Sequence, residues 1–297
     1  MRAVATRAQI QLKNILYTTD FSPAAEAAIP YAAEITKRYG ARLFALHVRP
    51  PLVNPMLPPA SWHSSLEAAR IETERQRSAL LDAFPGLRPL VLIEEGDIRP
   101  LLEAAVEEHK IDLIVLGTRG RSGLGKFFLG SIAEDIFRHS TCPVLTVGPH
   151  ASEGPSQDGR VRKILYATDF GAQSSTAAAY AVSFARELQA HLTLMHVIAE
   201  NRRDELVPPH ELVTFTEEHL RNLVPKDMDL WSEPQFLVEQ GDPAAKILQV
   251  AEERKASLIV IGAHAERGFP GASTHLPMAT AHKIVSQAAC QVLTVRG

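Results

Sequence analysis

Apolar residues fall into two periodic patterns along the first half of the chain. Short apolar runs rich in Val, Ile and Leu predict strands, and stretches with an apolar residue at every third or fourth position predict helices. The predicted strands cover residues 15–19, 43–48, 90–94, 113–116 and 143–147, and the predicted helices cover residues 23–39, 66–84, 101–110 and a segment that ends at 139. Because strands and helices alternate, we expect a mostly parallel sheet with helices on both faces.

The boundaries of the first helix are marked by residues with clear helix-end preferences. Ser22 and Pro23 are typical of an N-cap and a first helical position, and Gly40 is typical of a helix end. The apolar positions between them that share one helical face are Ala28, Ala32, Ile35 and Tyr39. The sequence therefore predicts a helix that follows the first strand directly.

The second half of the chain repeats the first. Residues 13–21 read KNILYTTDF and residues 163–170 read KILYATDF, so Asp20 corresponds to Asp169, 149 positions later. The strand at 143–147 recurs 148 positions later. Such self-similarity indicates two copies of one unit. The predicted organisation is a domain over residues 1–147, a linker over 148–160 rich in Gly, Pro, Ser and Asp, and a second domain over 161–297.

Composition restricts the function classes. The chain has 297 residues, of which 45% are hydrophobic and 22% charged, as in ordinary globular proteins with room for two domains. Its net charge of -3 gives no basic surface of the kind that binds nucleic acid. The first 13 residues have no apolar core, no apolar run is long enough to span a membrane, and the two cysteines are too few for a disulfide framework. We therefore expect a cytoplasmic protein.

One stretch has the chemistry of an anion site. From Gly117 to Ser131 the chain carries five glycines, three basic residues and no acidic residue, directly after an apolar run and before a helical segment. A strand, a glycine-rich turn and a helix N-terminus together present free backbone N–H groups and positive charge to one small region. This pattern indicates phosphate binding, and the alternative is a glycine-rich surface loop with incidental basic residues.

The spacing of this stretch resembles the signature of a known family. Gly117 and Gly120 are separated by two residues, and nine further residues precede Gly130 and Ser131. This resembles the nucleotide-binding signature of the universal stress protein family, Gly-2x-Gly-9x-Gly-Ser/Thr, at every fixed position. The chain is thus identified as a tandem member of that family. The resemblance implies an α/β fold of two tandem doubly wound domains, each with a five-stranded, mostly parallel sheet of order 3-2-1-4-5.

The same resemblance implies a ligand and the residues that hold it. The ligand would be ATP, with Mg²⁺, across the carboxyl ends of strands 1, 2 and 4. The residues that it assigns to the nucleotide are Thr19, Asp20, Val48, Leu116, Gly117, Thr118, Arg119, Gly120, Gly130, Ser131 and Ile132. The first two would approach adenosine, the next two would line the base, and the last three would hold the phosphates through backbone N–H groups and the serine hydroxyl.

Some residues near this edge also have a structural interpretation. Asp20 is typical of a helix-entry turn, and Asp97, after Gly96, is typical of a turn and helix cap. His47 and His196 end strands at equivalent places, where hydrogen-bonded structural histidines are common.

The signature decays in the second copy. Gly262 remains, but Ala265 replaces Gly120. Met278 and Ala279 stand where Gly130 and Ser131 stood, or Ala279 and Thr280 if the alignment is shifted by one residue. A larger side chain at the first of these two positions would fill space that phosphate needs. We therefore expect ATP in the first domain only. The histidines of this altered loop show no recognised zinc spacing, so no metal site is predicted; they are His264, His275 and His282.

Three function classes remain open. The first is a nucleotide-dependent regulator of the stress response, which we favour. The second is a slow ATPase or phosphotransferase, although no catalytic Ser-His-Asp or Cys-His arrangement is evident, and the third is a scaffold that binds protein partners without nucleotide. The resemblance further implies that strand 143–147 pairs with strand 292–295 as an intrachain pseudo-dimer, and that two chains could form a homodimer.

Overall fold

The structure is a computed structural model that describes residues 10–50, 62–118, 131–148, 160–171, 174–199, 209–263 and 278–296. The elements of the first domain are β1 (Asn14–Thr19), α1 (Pro23–Glu26), α2 (Ile29–Tyr39), β2 (Arg42–Arg49), α3 (Trp62–Ala83), β3 (Leu90–Glu95), α4 (Ile98–Glu108), β4 (Leu113–Gly117), α5 (Ser131–His139) and β5 (Val144–Val147). Those of the second domain are β6 (Lys163–Thr168), α6 (Ser174–Glu187), β7 (His191–Ile198), α7 (Pro209–Arg221), β8 (Gln235–Gln240), α8 (Pro243–Glu253), β9 (Leu258–Gly262), α9 (Met278–Gln287) and β10 (Gln291–Val295).

All these strands form one sheet of order β3-β2-β1-β4-β5-β10-β9-β6-β7-β8. Each half has the predicted order 3-2-1-4-5, and neighbouring strands within each half are parallel. The predicted fold class is confirmed, with one difference in strand count. The two five-stranded sheets join edge to edge, so the chain has a single ten-stranded sheet.

The two halves meet at an antiparallel pair of strands, β5 and β10. Leu145 lies opposite Leu293, its equivalent in the repeat, with Val144 opposite Thr294 and Thr146 opposite Val292. This register gives the seam an approximate two-fold axis through the leucine pair. The apolar cores on both faces of the sheet run continuously through both domains. The intrachain pairing of the last strands is therefore present as expected, and it covers an edge of each half-sheet.

The predicted first helix is divided in two. Ser22 caps α1, where its hydroxyl accepts the Ala25 N–H at 3.2 Å, and Gly40 ends α2 in a left-handed conformation with φ of 61°. Pro30, the second residue of α2, has no N–H to donate to the carbonyl of Glu26, the last residue of α1, and a proline ring crowds the carbonyl four residues earlier. The interruption therefore follows from the proline, and the two ends are as predicted. Among the described residues, no helix has the length and apolarity needed to cross a membrane.

Candidate functional site

A tight turn follows β1 at the carboxyl edge of the sheet. The Thr19 hydroxyl accepts the Phe21 N–H at 2.9 Å, and Asp20 Oδ1 accepts the Ser22 N–H at 2.9 Å. Phe21 has a φ of 58°, a left-handed conformation that phenylalanine rarely adopts. Two side chains therefore hold a strained backbone in place, and Asp20 has the helix-entry role that its sequence context allowed.

A buried histidine on the neighbouring strand holds the same turn. His47 on β2 is 7% exposed, and its Nδ1 lies 2.8 Å from the Thr19 carbonyl oxygen. Its ring also contacts the Phe21 ring edge-on, with 4.7 Å between centroids. Since a carbonyl oxygen only accepts, Nδ1 is the donor in this hydrogen bond. His47 is therefore a structural histidine that fixes where the Thr19 backbone lies. In the sequence, its recurrence as His196 at the equivalent strand end indicates this structural role.

The end of β4 lies beside the end of β1. The two strands are parallel neighbours, with Leu116 opposite Thr18, and α1 crosses directly over the next residue, Gly117. A Cβ at Gly117 would lie 2.2 Å from the backbone oxygen of Ala24, which no atom pair tolerates. Glycine is therefore required here for helix packing, whether or not the residue also lies along a ligand.

Thr118, the next residue, is hydrogen-bonded to the neighbouring strand of the sheet. It is 4% exposed, and both its N–H and its hydroxyl donate to the Val147 carbonyl of β5, at 3.0 and 3.3 Å. These two bonds tether the start of the glycine-rich segment to the strand that forms the seam between the domains.

The structure brings some of the predicted site residues to one edge. Thr19, Asp20, Leu116, Gly117 and Thr118 follow or end β1 and β4, and the partly buried Val48 lies next to His47 on β2. Leu116 is 2% exposed, so it belongs to the core, and Ile132 on α5 is 47% exposed. Ser131 is the first residue of α5, with a side chain outside the described part, and Arg119, Gly120 and Gly130 lie outside the described residues altogether.

The second domain repeats this turn after β6. Phe170, with φ of 59°, donates its N–H to the Thr168 hydroxyl at 3.0 Å, and the Gly171 N–H donates to Asp169 Oδ1 at 2.8 Å. His196 Nδ1 lies 2.8 Å from the Thr168 carbonyl oxygen. At the ends of β1 and β6 the two domains are thus built alike, and the loops that differ in sequence, 119–130 and 264–277, lie outside the described residues.

Histidines and cysteines are the other side chains that could carry chemistry. In the described part of the chain, His, Cys, Asp and Glu side chains form no group of three that could hold a metal ion. His264 and His275 lie outside it, while His282 Nε2 lies 3.9 Å from Glu134 Oε1. Cys142 is buried, and burial raises the pKa of its thiol to about 11, so the thiol is protonated at neutral pH.

These observations define a class of protein. It has an open parallel α/β domain that is present twice and carries a candidate site at its strand ends. The profile of the Universal stress protein family matches residues 11–148 and 160–296, which is nearly the whole chain. The chain belongs to the universal stress protein family.

Individual relatives match either nearly the whole chain or about half of it. A universal stress protein of Mycolicibacterium smegmatis is 25% identical over 303 aligned positions, which cover 95% of this chain and 97% of that protein. One from Thermus aquaticus is 33% identical over 137 positions, which cover 46% of this chain and 98% of that protein. The crystal structure of a universal stress protein from Archaeoglobus fulgidus shares the fold, with a TM-score of 0.70, 19% identity and coverage of 97% of this chain and 99% of that one.

Proposed function

We propose that this protein is an ATP-binding regulator of the stress response that holds one ATP, with Mg²⁺, in its first domain. Ligands of open parallel sheets bind outside the carboxyl ends of the strands, where the strand order reverses. In the first domain that reversal lies between β1 and β4, because β2 and β3 continue on one side and β5 on the other. The Thr19–Asp20 turn and Gly117 lie at this point.

The observation that carries the proposal is the position of the glycine signature between these elements. Gly117 is the last residue of β4, and Ser131 is the first residue of α5. The signature therefore begins where a strand ends at the switch point and finishes where a nine-residue helix presents its free N–H groups. The segment between them carries Arg119, Arg121 and Lys126 and no acidic residue, which suits the phosphates of ATP.

The first domain is proposed as a binding site and not as a hydrolytic centre. Hydrolysis of ATP needs a group that positions or activates water. At this edge, Nδ1 of the buried His47 donates a hydrogen bond to the Thr19 carbonyl, and Asp20 Oδ1 accepts the Ser22 N–H. Both side chains therefore take part in holding the turn. When bound, Mg²⁺ would neutralise part of the phosphate charge, and Asp20 offers a carboxylate at the same edge. ATP would then favour the conformation that binds it better, and protein partners would recognise that conformation.

The proposal is tested by identifying and counting the nucleotide. Protein is denatured, the released nucleotide is identified by mass spectrometry, and stripped protein is titrated calorimetrically with ATP and Mg²⁺. We expect one ATP per chain, lost in Gly130→Val because the added side chain fills the phosphate space. Met278→Val, at the equivalent position of the second domain, is the matched control and should bind one ATP.

Three other results would change the proposal. Two ATP per chain would show that the second domain also binds. Steady release of ADP would favour the slow ATPase, and no heat with ATP and Mg²⁺ would leave the nucleotide-independent scaffold.

A further inference from the structure

The C-terminal end of α5 is completed by a side chain from the other domain. The last carbonyl groups of a helix have no partner within the helix. In α5 the Ile136 carbonyl accepts the Ser140 N–H at 2.9 Å, while the next two carbonyls, of Phe137 and Arg138, accept hydrogen bonds from the guanidinium of Arg296. Arg296 directly follows β10, the last strand of the second domain.

This contact is closely packed. Arg296 is 9% exposed, and its guanidinium carbon lies 5.8 Å from the centroid of the Phe137 ring. A cation is favoured both at the negative end of a helix dipole and near an aromatic face. Burial lowers the pKa of Arg296, but an arginine starts so high that it keeps its charge. The second domain therefore clamps α5 with a buried positive charge.

Both ends of the glycine-rich segment are thereby tied to the seam between the domains. At its start, Thr118 is tethered to Val147 on β5, which pairs with β10. At its end, α5 is held by Arg296 and also approaches α9, where His282 Nε2 lies 3.9 Å from Glu134 Oε1. From Ser131 to the clamped carbonyl of Phe137 the helix is only about 9 Å long, so a shift at one end is transmitted to the other.

The residue that corresponds to Arg296 in the repeat gives the second domain no reciprocal clamp. The repeat places Gly148 at the position of Arg296, next to the end of α9. A Cβ on Gly148 would lie 3.4 Å from the Ala288 carbonyl oxygen, so the position is next to the end of α9, but glycine brings no side chain to it. Within the described residues, this clamp therefore acts on the domain with the intact glycine signature and not on its repeat.

We propose that Arg296 is a positioning residue for the nucleotide site of the first domain, which it affects by holding α5 so that Ser131 and the free N–H groups of the first turn face the phosphates. This inference rests on the proposed function, because it assigns a second-domain residue to the site in the first. It also gives the tandem arrangement a role, since the second domain supports a site that it does not contain.

The test compares ATP binding by full-length variants. Arg296→Met removes both hydrogen bonds and keeps much of the side-chain volume, while Arg296→Lys keeps the charge but not the forked geometry. Arg221→Met is the matched control, because Arg221 also stacks on a phenylalanine, 4.5 Å from the Phe236 centroid, but within the second domain. Calorimetry measures the affinity for ATP, and hydrogen exchange measures the protection of the α5 amides.

We expect Arg296→Met to weaken ATP binding at least about fivefold, the size of a typical coupling between sites, and to speed exchange in α5. Arg296→Lys should weaken binding less, and Arg221→Met should bind as the wild type does. Wild-type affinity in both Arg296 variants would overturn the inference and leave the proposed function intact. Absence of binding by the wild-type protein would instead overturn the proposed function. If Arg296→Met does not fold, the lysine variant still decides.

Discussion

The two domains agree at the end of their first strand and differ at the helix that follows the glycine-rich segment. After β1 and after β6, a threonine, an aspartate, a left-handed phenylalanine and a histidine make the same hydrogen bonds, with corresponding distances within 0.1 Å. In contrast, the end of α5 is clamped by Arg296, and the end of α9 faces Gly148.

This comparison separates the features that hold the fold together from those that could distinguish the two domains in ligand binding. The shared turn is held by its own threonine and aspartate and by the histidine of the neighbouring strand, so it is kept in the second domain although the glycine signature there has decayed. An aspartate at this position is therefore poor evidence for a bound nucleotide by itself, because Asp20 and Asp169 both close a turn. Any difference in binding must come from the loops and from the helices that anchor them.

The largest expected effect comes from breaking the framework of the first domain. In Gly117→Ala the new Cβ would lie 2.2 Å from the Ala24 oxygen, so α1 would have to move away from β4. We expect the free energy of unfolding to fall by about 3 kcal/mol, the upper range for overpacking. Urea unfolding followed by circular dichroism measures the change.

Gly148→Ala is the control for this prediction. Gly148 has no left-handed φ, and its Cβ would make an ordinary contact of 3.4 Å with the Ala288 oxygen, so we expect a change within about 0.5 kcal/mol. Equal losses in the two alanine variants would show that the close approach of α1 is not what requires glycine at 117.

The sequence allowed the architecture to be predicted because the repeat and the alternating elements are local patterns. Helix ends at Ser22 and Gly40 follow from residue preferences and are confirmed. The break between α1 and α2 was missed, although Pro30 is the signal for it. The apolar positions form one continuous face across the break, so their periodicity alone predicts a single helix and does not register that Pro30 lacks an N–H.

Other features of the site depend on tertiary contacts and had no local signal. A left-handed Phe21 contradicts the preference of phenylalanine and is held by Thr19 and His47 from outside the residue itself. The clamp joins Arg296 to Phe137 across 159 positions of sequence. Gly117 was assigned to the ligand from its place in the signature, whereas its contact with α1 only becomes visible once the helix is placed on the sheet.

A second prediction sharpens the comparison at the histidines. His47→Leu and His196→Leu each remove the donor to a threonine carbonyl while keeping an apolar volume. We expect each to cost about 1.5 kcal/mol of unfolding free energy, since a part-buried carbonyl is left without that bond. If the first domain alone binds ATP, only His47→Leu should also weaken binding, because the Thr19 backbone would move. Urea unfolding and calorimetry measure the two quantities.

Asparagine variants provide the control, because an asparagine amide places a donor near the position of Nδ1. His47→Asn should recover part of both losses. A loss of ATP affinity in His196→Leu as large as that in His47→Leu would contradict the assignment of the nucleotide to the first domain.

The smallest expected effect separates two equivalent helix caps. Asp97 and Asp242 both have the extended backbone of an N-cap, before α4 and α8 respectively, but only Asp242 accepts the N–H of its third neighbour, Ala245, at 2.8 Å. Asp242→Ala should therefore cost about 1 kcal/mol, and Asp97→Ala only a few tenths. Thermal unfolding midpoints of the two variants give the comparison.

The dependence on pH tests whether this cap is the cause. The Ala245 N–H, and to a lesser degree Lys283 with its Nζ 3.3 Å away, lower the pKa of Asp242. A carboxyl group whose pKa is lower in the folded state stabilises the protein above its unfolded pKa of about 3.9 and loses that contribution as the pH falls through the folded value. The deficit of Asp242→Ala should thus be full at pH 7 and shrink below about pH 4. A deficit that stays constant down to pH 2 would mean that the ionised carboxylate is not the cause of the stabilisation. A deficit equally large in Asp97→Ala would mean that the two domains begin these helices in the same way despite the different contacts of their aspartates.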